Sequence, residues 1–277
     1  MDDHAVVSHD DWVEARKNLL AKEKEFTRVR DQMTAQRRSL PWEVVEKDYV
    51  FETGTGPSSL AGLFDGRSQL LAYHFMFDPA DDVGCPVCSF WADNFEPLIV
   101  HLRARDVTMV AISQAPLSKI TPYKERMGWS FPWFSSYGSD FNDDYRVSFR
   151  PEETDEVVYN YDTLPPGDTQ REGLSVFYNG GDASIFHTYS AYARGIDIVN
   201  TAYNYLDLVP KGRDEDPPGP RWVRRHDEYG HGPSLRRRCP KRSSASWLGA
   251  CSRMRSSRRA SNSSRETYPR EPGTPPR

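Results

Sequence analysis

The chain has 277 residues, a formal net charge of −4, 37% hydrophobic residues and four cysteines. That is enough apolar matter for a sizeable core, yet no stretch approaches the roughly 18 consecutive apolar residues of a membrane span. The charged segment Met1 to Lys24 leaves no room for a signal-peptide core, and four scattered cysteines cannot staple a secreted scaffold, so a cytoplasmic protein is expected.

Asp10-Asp11 precede Trp12, Ala15, Leu19, Leu20, Phe26, Val29 and Met33 at helical spacing among Glu, Lys and Arg. The spacing predicts one long amphipathic helix, capped by Asp10 or Asp11, ended near Pro41 and packed by its apolar side on the body of the protein. From Trp42 the pattern becomes short strands, Val44 to Phe51 and Leu60 to Phe64, separated by a Gly/Pro/Ser turn at Gly54 to Ser59. Gln69 to Phe77 is a near-continuous apolar run, as in a central strand covered on both faces.

Cys85-Pro86-Val87-Cys88 follows that run and opens an amphipathic stretch from Ser89 to Arg103. A buried-type strand at Val107 to Ser113, a helix at Leu117 to Met127 and a strand at Phe131 to Ser135 come next. This alternation predicts right-handed strand–helix–strand units and a mainly parallel central sheet. Residues 139–172 are polar and acidic, with Pro151, Pro165 and Pro166, and read as a surface insertion with a short helix at Asp143 to Val147. Leu174 to Tyr178, Gly180-Gly181 and Ser184 to Thr188 predict an antiparallel hairpin, which makes the sheet mixed. A helix at Ile196 to Leu208 ends before Pro210 and Gly212.

The charge is divided along the chain: residues 221–277 hold 15 Lys/Arg against 4 Asp/Glu. Arg236-Arg237-Arg238 and the run Arg253 to Arg259 lie among Ser, Pro and Gly with little apolar matter to offset the entropy of ordering. The expected organisation is an N-terminal helix (1–41), a folded domain (42–229) and a disordered basic tail (230–277). Such a tail could attract polyanions by counterion release, but no nucleic-acid module accompanies it, so nucleic acid is not the expected partner.

A C-x-x-C placed between a strand and a helix in a cysteine-poor chain points to thiol–disulfide chemistry. At a helix N-terminus, unpaired N–H groups stabilise a thiolate at Cys85, the expected attacking thiol. Cys88, one turn deeper, faces the same side and can resolve a mixed disulfide. Pro86 suits the first helical position, where its missing N–H costs nothing. Around the dithiol, Trp91, Asp93 and His74 are candidate supporting residues: Asp93 tunes proton transfer or merely solvates the helix, and His74 is a satisfied core histidine or a nearby base. His101 reads as surface, and His187 is open between site and scaffold.

Zinc is the alternative for Cys85 and Cys88, but it needs four N/S ligands, and Cys239, Cys251, His226 and His231 are loosely spaced. A third reading is a binding module whose groove is lined by Trp91, Trp129, Phe131, Trp133, Phe134 and Tyr137; such residues are more often core. No Ser-His-Asp set, phosphate loop or dinucleotide fingerprint has supporting context.

The order of elements resembles the thioredoxin fold, and Phe131-Pro132 before a strand, with the hairpin ahead of the central strand, resembles its peroxiredoxin-like extension. Several runs, among them Glu46-Lys47-Asp48-Tyr49-Val50-Phe51, Leu63-Phe64-Asp65-Gly66-Arg67-Ser68, Tyr73-His74-Phe75-Met76-Phe77, Cys88-Ser89-Phe90-Trp91-Ala92-Asp93 and Leu208-Val209-Pro210-Lys211-Gly212-Arg213, resemble a bacterial thioredoxin-like family known as domain of unknown function 899. The resemblance spans about residues 8–229 and implies an α/β thioredoxin-like fold, a central mixed sheet flanked by helices.

Against thioredoxin, Gly84 stands where a tryptophan usually precedes the first cysteine, and Glu172-Gly173 leads into the strand where a cis-proline is usual. Peroxiredoxins carry Thr and Pro ahead of their cysteine, whereas Asp82-Val83-Gly84 precedes Cys85 here, so a thiol peroxidase is the weaker alternative. The expectation is a disulfide reductase or isomerase without a bound cofactor, exchanging with a protein or small-molecule thiol or disulfide. The N-terminal helix is the element that could serve dimerisation, but oligomeric state is not legible.

Overall fold

The computed structural model describes residues 4–149, 157–164, 169–182, 184–215 and 220–230. The tail expected from 230 onward lies outside the described residues except for Gly230, as do parts of the 139–172 segment.

Helix α1 (His9–Arg38) begins just before the aspartates expected to cap it. Its N-cap is Ser8, whose hydroxyl accepts the Asp11 N–H at 3.2 Å, while Asp10 and Asp11 sit in the first turn, where acidic charge complements the helix dipole. The expected packing of its apolar side on the body is not found: no residue of α1 is buried.

The strands are β1 (Glu43–Val44), β2 (Val50–Thr53), β3 (Gly56–Ser59), β4 (Gln69–His74), β5 (Val107–Ser113), β6 (Trp133–Ser135), β7 (Val157–Tyr159), β8 (Asp162–Leu164), β9 (Gly173–Asn179) and β10 (Ile185–Tyr192). Among the described residues, eight of them form one sheet in the order β1-β10-β9-β4-β5-β6-β2-β3, and β7-β8 make a separate hairpin. β4, β5 and β6 are parallel to one another, while β9 runs antiparallel to β4 and β10 antiparallel to β9. A strand, a dithiol helix, a parallel strand, a helix, then an antiparallel hairpin stacked beside the first strand is the thioredoxin-like arrangement. The sheet is mixed, with the hairpin β2–β3 added beyond β6.

Several expected elements are divided. Val44 to Phe51 is two strands, because β1 pairs with β10 at one edge while β2 pairs with β3 and β6 at the other. Ala61–Phe64 is a 3₁₀ turn that buries Leu63 and Phe64. The stretch after the dithiol is α2 (Pro86–Ala92), a 3₁₀ turn at Glu96–Leu98 and α3 (Ile99–Arg103). Pro97 lacks the N–H that a continuous helix would need there. After α4 (Leu117–Arg126) and α5 (Phe141–Asp144), the last helix is also split. A 3₁₀ segment at Ala193–Val199 precedes α6 (Thr201–Leu206), restarted by Asn200, whose side chain accepts the Tyr203 N–H at 3.2 Å. The segment expected as surface carries Phe141, Tyr145, Val147 and Phe149, all buried.

β4 is covered on both faces, and its alternate residues feed two separate cores. Tyr73, continued by Phe75 and Phe77, packs with Cys88, Trp91, Phe95, Tyr123 and Trp133. Leu70 and Ala72 face the other way, onto Phe51, Phe64, Ile112, Phe141 and Phe177. Burial of each such large side chain contributes about 1.5–3 kcal/mol, so the strand that leads to the dithiol is among the best anchored in the molecule.

Candidate functional site

Cys85 is the N-cap of α2 and Pro86 its first residue. The Cys85 N–H donates to the Met76 carbonyl at 3.1 Å, tying the dithiol turn to the segment that continues β4, and the Met76 N–H points back at Cys88 Sγ at 3.4 Å. Cys88 is fully buried and Cys85 partly exposed, and both are free thiols. The two are inequivalent. The Cys88 thiol, donating to Cys85, is the main influence holding the Cys85 pKa below the ordinary thiol range; the backbone N–H groups of Cys88 and Val87 add to it, against burial and the Glu172 charge. Burial, and next its neighbour Cys85, push Cys88 well above that range.

Three residues that the sequence reading passed over complete the surroundings. Tyr73, on the face of β4 that carries the dithiol core, has a fully buried hydroxyl with no hydrogen-bond partner; burial first, and then the adjoining Cys88, raise its pKa far above that of a free phenol. Glu172 immediately precedes β9, two residues before Leu174, which is the register partner of Tyr73. Its carboxylate is close enough to raise both thiol pKa values.

Arg225, 141 positions from Gly84 in sequence, donates to the Gly84 carbonyl at 2.7 and 3.1 Å and to the Tyr123 hydroxyl at 3.1 Å. Tyr123 and Ser89 share a 2.8 Å hydrogen bond, and the Ser89 hydroxyl also bonds the Cys85 carbonyl at 2.8 Å. The peptide entering the dithiol is therefore clamped by side chains from α2, α4 and the C-terminal segment. Gly84 is required there on steric grounds: a Cβ would lie 2.7 Å from the Phe75 ring and 2.8 Å from the Tyr123 ring.

The predicted supporting residues do not all converge. Trp91 is buried and donates from Nε1 to the Ile196 carbonyl at 3.0 Å, fastening α2 to the segment after β10. Asp93, the C-cap of α2, accepts from Trp129 Nε1 at 2.9 Å and pairs with His226 Nδ1 at 2.6 Å, so it holds the far end of the helix. His74 points away from the thiols. It stacks on Phe141 and Tyr145 in the opposite core and bonds the Ser175 hydroxyl at 2.8 Å through Nε2; burial lowers its pKa to about 3, so it is neutral.

Beyond His74 the opposite core contains a polar line that reaches His187. Ser175 bonds Ser190 at 2.8 Å, Ser190 bonds His187 Nε2 at 2.8 Å, and His187 Nδ1 faces Glu43 at 3.3 Å. A bulge between His187 and Tyr189 makes this possible, since the extra residue brings side chains three apart onto one face of β10. Ser190 is already engaged by both Ser175 and His187, which makes it a link in a buried chain that ends at His74, whose Nδ1 has no partner.

Among the described residues, no group of three or more His, Cys, Asp or Glu side chains is placed to hold a metal ion, and His226 is occupied with Asp93. Cys239, Cys251 and His231 lie outside the described residues. Trp91, Trp129, Phe131 and Trp133 are buried, so only Phe134 and Tyr137 of the proposed aromatic groove have exposed surface. No helix of the described residues is long and apolar enough to cross a membrane.

A sequence profile described as "Bacterial protein of unknown function (DUF899)" matches residues 1–229. No curated protein matches the chain. Among solved structures, the chain is similar to the peroxidoxin BcpB from Mycobacterium tuberculosis at 15% identity, over 58% of this chain and 94% of that one, with a TM-score of 0.36. It is similar to the bacterioferritin comigratory protein of Xanthomonas campestris at 11% identity, over 59% and 96%, with a TM-score of 0.38. BsSco, a member of the Sco family of cytochrome c oxidase assembly proteins, matches at 15% identity over 62% and 98%, with a TM-score of 0.35.

Proposed function

The chain belongs to the bacterial DUF899 family, and we propose that this member is a thiol–disulfide oxidoreductase working through Cys85 and Cys88. The observation that carries the reading is the inequivalence of the two thiols: a partly exposed Cys85 whose thiolate is favoured by the donated Cys88 proton, beside a buried Cys88 held neutral. This division suits a two-step exchange.

In the first step the Cys85 thiolate attacks one sulfur of a substrate disulfide. A Cys85–substrate bond forms, the substrate S–S bond breaks, and the leaving thiolate takes a proton from solvent. In the second step Cys88 loses its proton and attacks Cys85 Sγ, giving the Cys85–Cys88 disulfide and releasing the second substrate thiol, which takes up that proton. Two electrons have then passed to the substrate, and an external dithiol or two small thiols restore the reduced pair.

Proton removal from Cys88 is the costly event, because its anion forms in the apolar core. The Met76 N–H already faces its sulfur, and the partnerless Tyr73 hydroxyl is a donor at hand for the anion. Glu172 is the carboxylate nearest in effect to both thiols and the candidate acceptor of the Cys88 proton. A disulfide reductase or isomerase follows from this chemistry; the direction is set by a midpoint that related dithiols place anywhere from about −270 to −120 mV.

The test is a redox titration of the metal-free protein in defined glutathione or dithiothreitol buffers, read by thiol alkylation, with zinc assayed on the same sample. A reversible two-electron transition that Cys88→Ser abolishes is expected. Thiols that never pair, or one equivalent of zinc bound, would sink the reading.

A further inference from the structure

Helix α1 has 30 residues, none of them buried, and at 1.5 Å per residue it is about 45 Å long. Trp12, Leu19, Phe26 and Met33 recur along it at intervals of seven, and they are 56%, 51%, 66% and 53% exposed. Ala15 and Val29 fall between them at the second apolar position of the same heptad. A straight helix drifts about 20° per heptad, so a stripe kept at seven residues is the pattern of a helix that supercoils around another. The described residues of the body do not supply that partner. Their aromatic contacts with the α1 region are at the C-terminal end, where the Arg37 guanidinium lies 4.8 Å over the Tyr189 ring and the following Trp42 packs on Tyr178 and Phe186.

We propose that the exposed stripe of α1 is covered by α1 of a second copy of this chain, in a parallel two-stranded coiled coil. The charges flanking the stripe select this occupant. With Trp12, Leu19, Phe26 and Met33 at position a, the g positions are Asp11, Asn18, Glu25 and Gln32, and the e positions are Arg16, Glu23, Arg30 and Arg37. In a parallel pair each g side chain meets the e side chain five residues on in the other helix. That sets Asp11 against Arg16 and Glu25 against Arg30, both of opposite sign, with neutral partners for Glu23 and Arg37 and no like-charge pair. Fully overlapped antiparallel helices would instead set Arg16 against Arg30 and Glu23 against Glu23 of the other copy, both pairs of like sign. The pairs now made along the single helix, Arg16–Glu23 at 2.9 Å and Glu25–Arg28 at 3.0 Å, are exposed and exchange at little cost. Lys22 and Gln36, polar at position d, limit the affinity, so association in the micromolar range is expected.

Sedimentation equilibrium of the full chain, from about 1 to 100 µM, tests the proposal. A monomer–dimer equilibrium is expected. Leu19→Glu with Phe26→Glu weakens it at least tenfold. Glu25→Arg alone weakens it several-fold, and adding Arg30→Glu restores it. Residues 25 and 30 do not face each other on one helix, so only contact between chains gives that restoration. A monomer throughout, a dimer indifferent to the Leu19 and Phe26 substitutions, or no restoration by the charge exchange would overturn the proposal. So would a chain that stays monomeric but sediments with phosphatidylglycerol vesicles, since the stripe would then be covered by lipid.

Discussion

The two faces of the central sheet hold their buried polar groups differently, one in a hydrogen-bonded chain and the other beside the thiols. On the face opposite the dithiol, His74, Ser175, Ser190 and His187 are joined at 2.8 Å at each link. On the dithiol face, the Tyr73 hydroxyl has no partner, while Cys88 Sγ accepts the Met76 N–H at 3.4 Å. The chained hydroxyls contribute to stability up to His74, whose Nδ1 is left without a partner, whereas an unsatisfied donor beside a thiol costs about 1–3 kcal/mol. The difference fits a scaffold on one face and, on the other, a site whose hydrogen bonds are completed when a thiolate forms. Tyr73 and His74, neighbours on one strand, each keep one buried polar atom without a partner, but only that of Tyr73 lies on the face of the thiols.

Breaking the reactive face gives the largest expected effect. Cys85→Ser should reduce disulfide exchange to the uncatalysed background, and Cys88→Ser should trap the mixed disulfide, visible as a mass adduct on Cys85. Ser190→Ala, on the other face, should leave the exchange rate within about twofold while lowering stability by about 1–3 kcal/mol through the hydroxyls it strands.

His74→Ala should be more damaging to the scaffold, costing about 2–5 kcal/mol in a denaturant titration, with no change in the pH dependence of thiol alkylation. Its titration gives a second reading. The folded pKa of about 3 lies below the unfolded value of 6.5, so below pH 6.5 the unfolded chain binds the proton first. The stability due to neutral His74 is intact above that pH and lost progressively as pH falls toward 3. Wild type should therefore lose stability more steeply than the His74 variant between pH 6.5 and 4.

Tyr73→Phe sharpens the contrast. It removes a partnerless hydroxyl, so stability should hold or rise by up to about 1 kcal/mol, while resolution of the mixed disulfide slows by about tenfold. Loss of stability with an unchanged resolution rate would place Tyr73 with the scaffold. The smallest effect is expected at Arg225→Gln, where the clamp on the Gly84 carbonyl loosens and Cys85 alkylation shifts by well under one pH unit.

Legibility in the sequence followed how local each cause is. β5 and α4 were readable because an apolar run bounded by turn residues, or a 3.6-residue spacing stopped by Gly128, needs nothing from the rest of the chain. Cys85 at the start of α2 was readable from the dithiol spacing and Pro86. Pro97 is visible as well, but the apolar spacing on either side of it has the pattern of one helix. Other features depend on distant partners: Arg225 meets Gly84 across 141 positions, and the bulge that turns His187 toward Ser190 exists through its pairing with β9. The stripe on α1 was legible as apolar, but periodicity marks a face that needs cover without saying whether the cover is the same chain.

The central claim is that Cys85 carries the thiolate and Cys88 the shared proton. It is tested most directly by following iodoacetamide alkylation of the reduced protein against pH, resolved by peptide mass spectrometry. Cys85 should be modified first, with a midpoint below the free-thiol value of about 8.5, and Cys88 should resist until well above it. Equal rates at the two positions, or a Cys85 midpoint at or above the free value, would contradict the account.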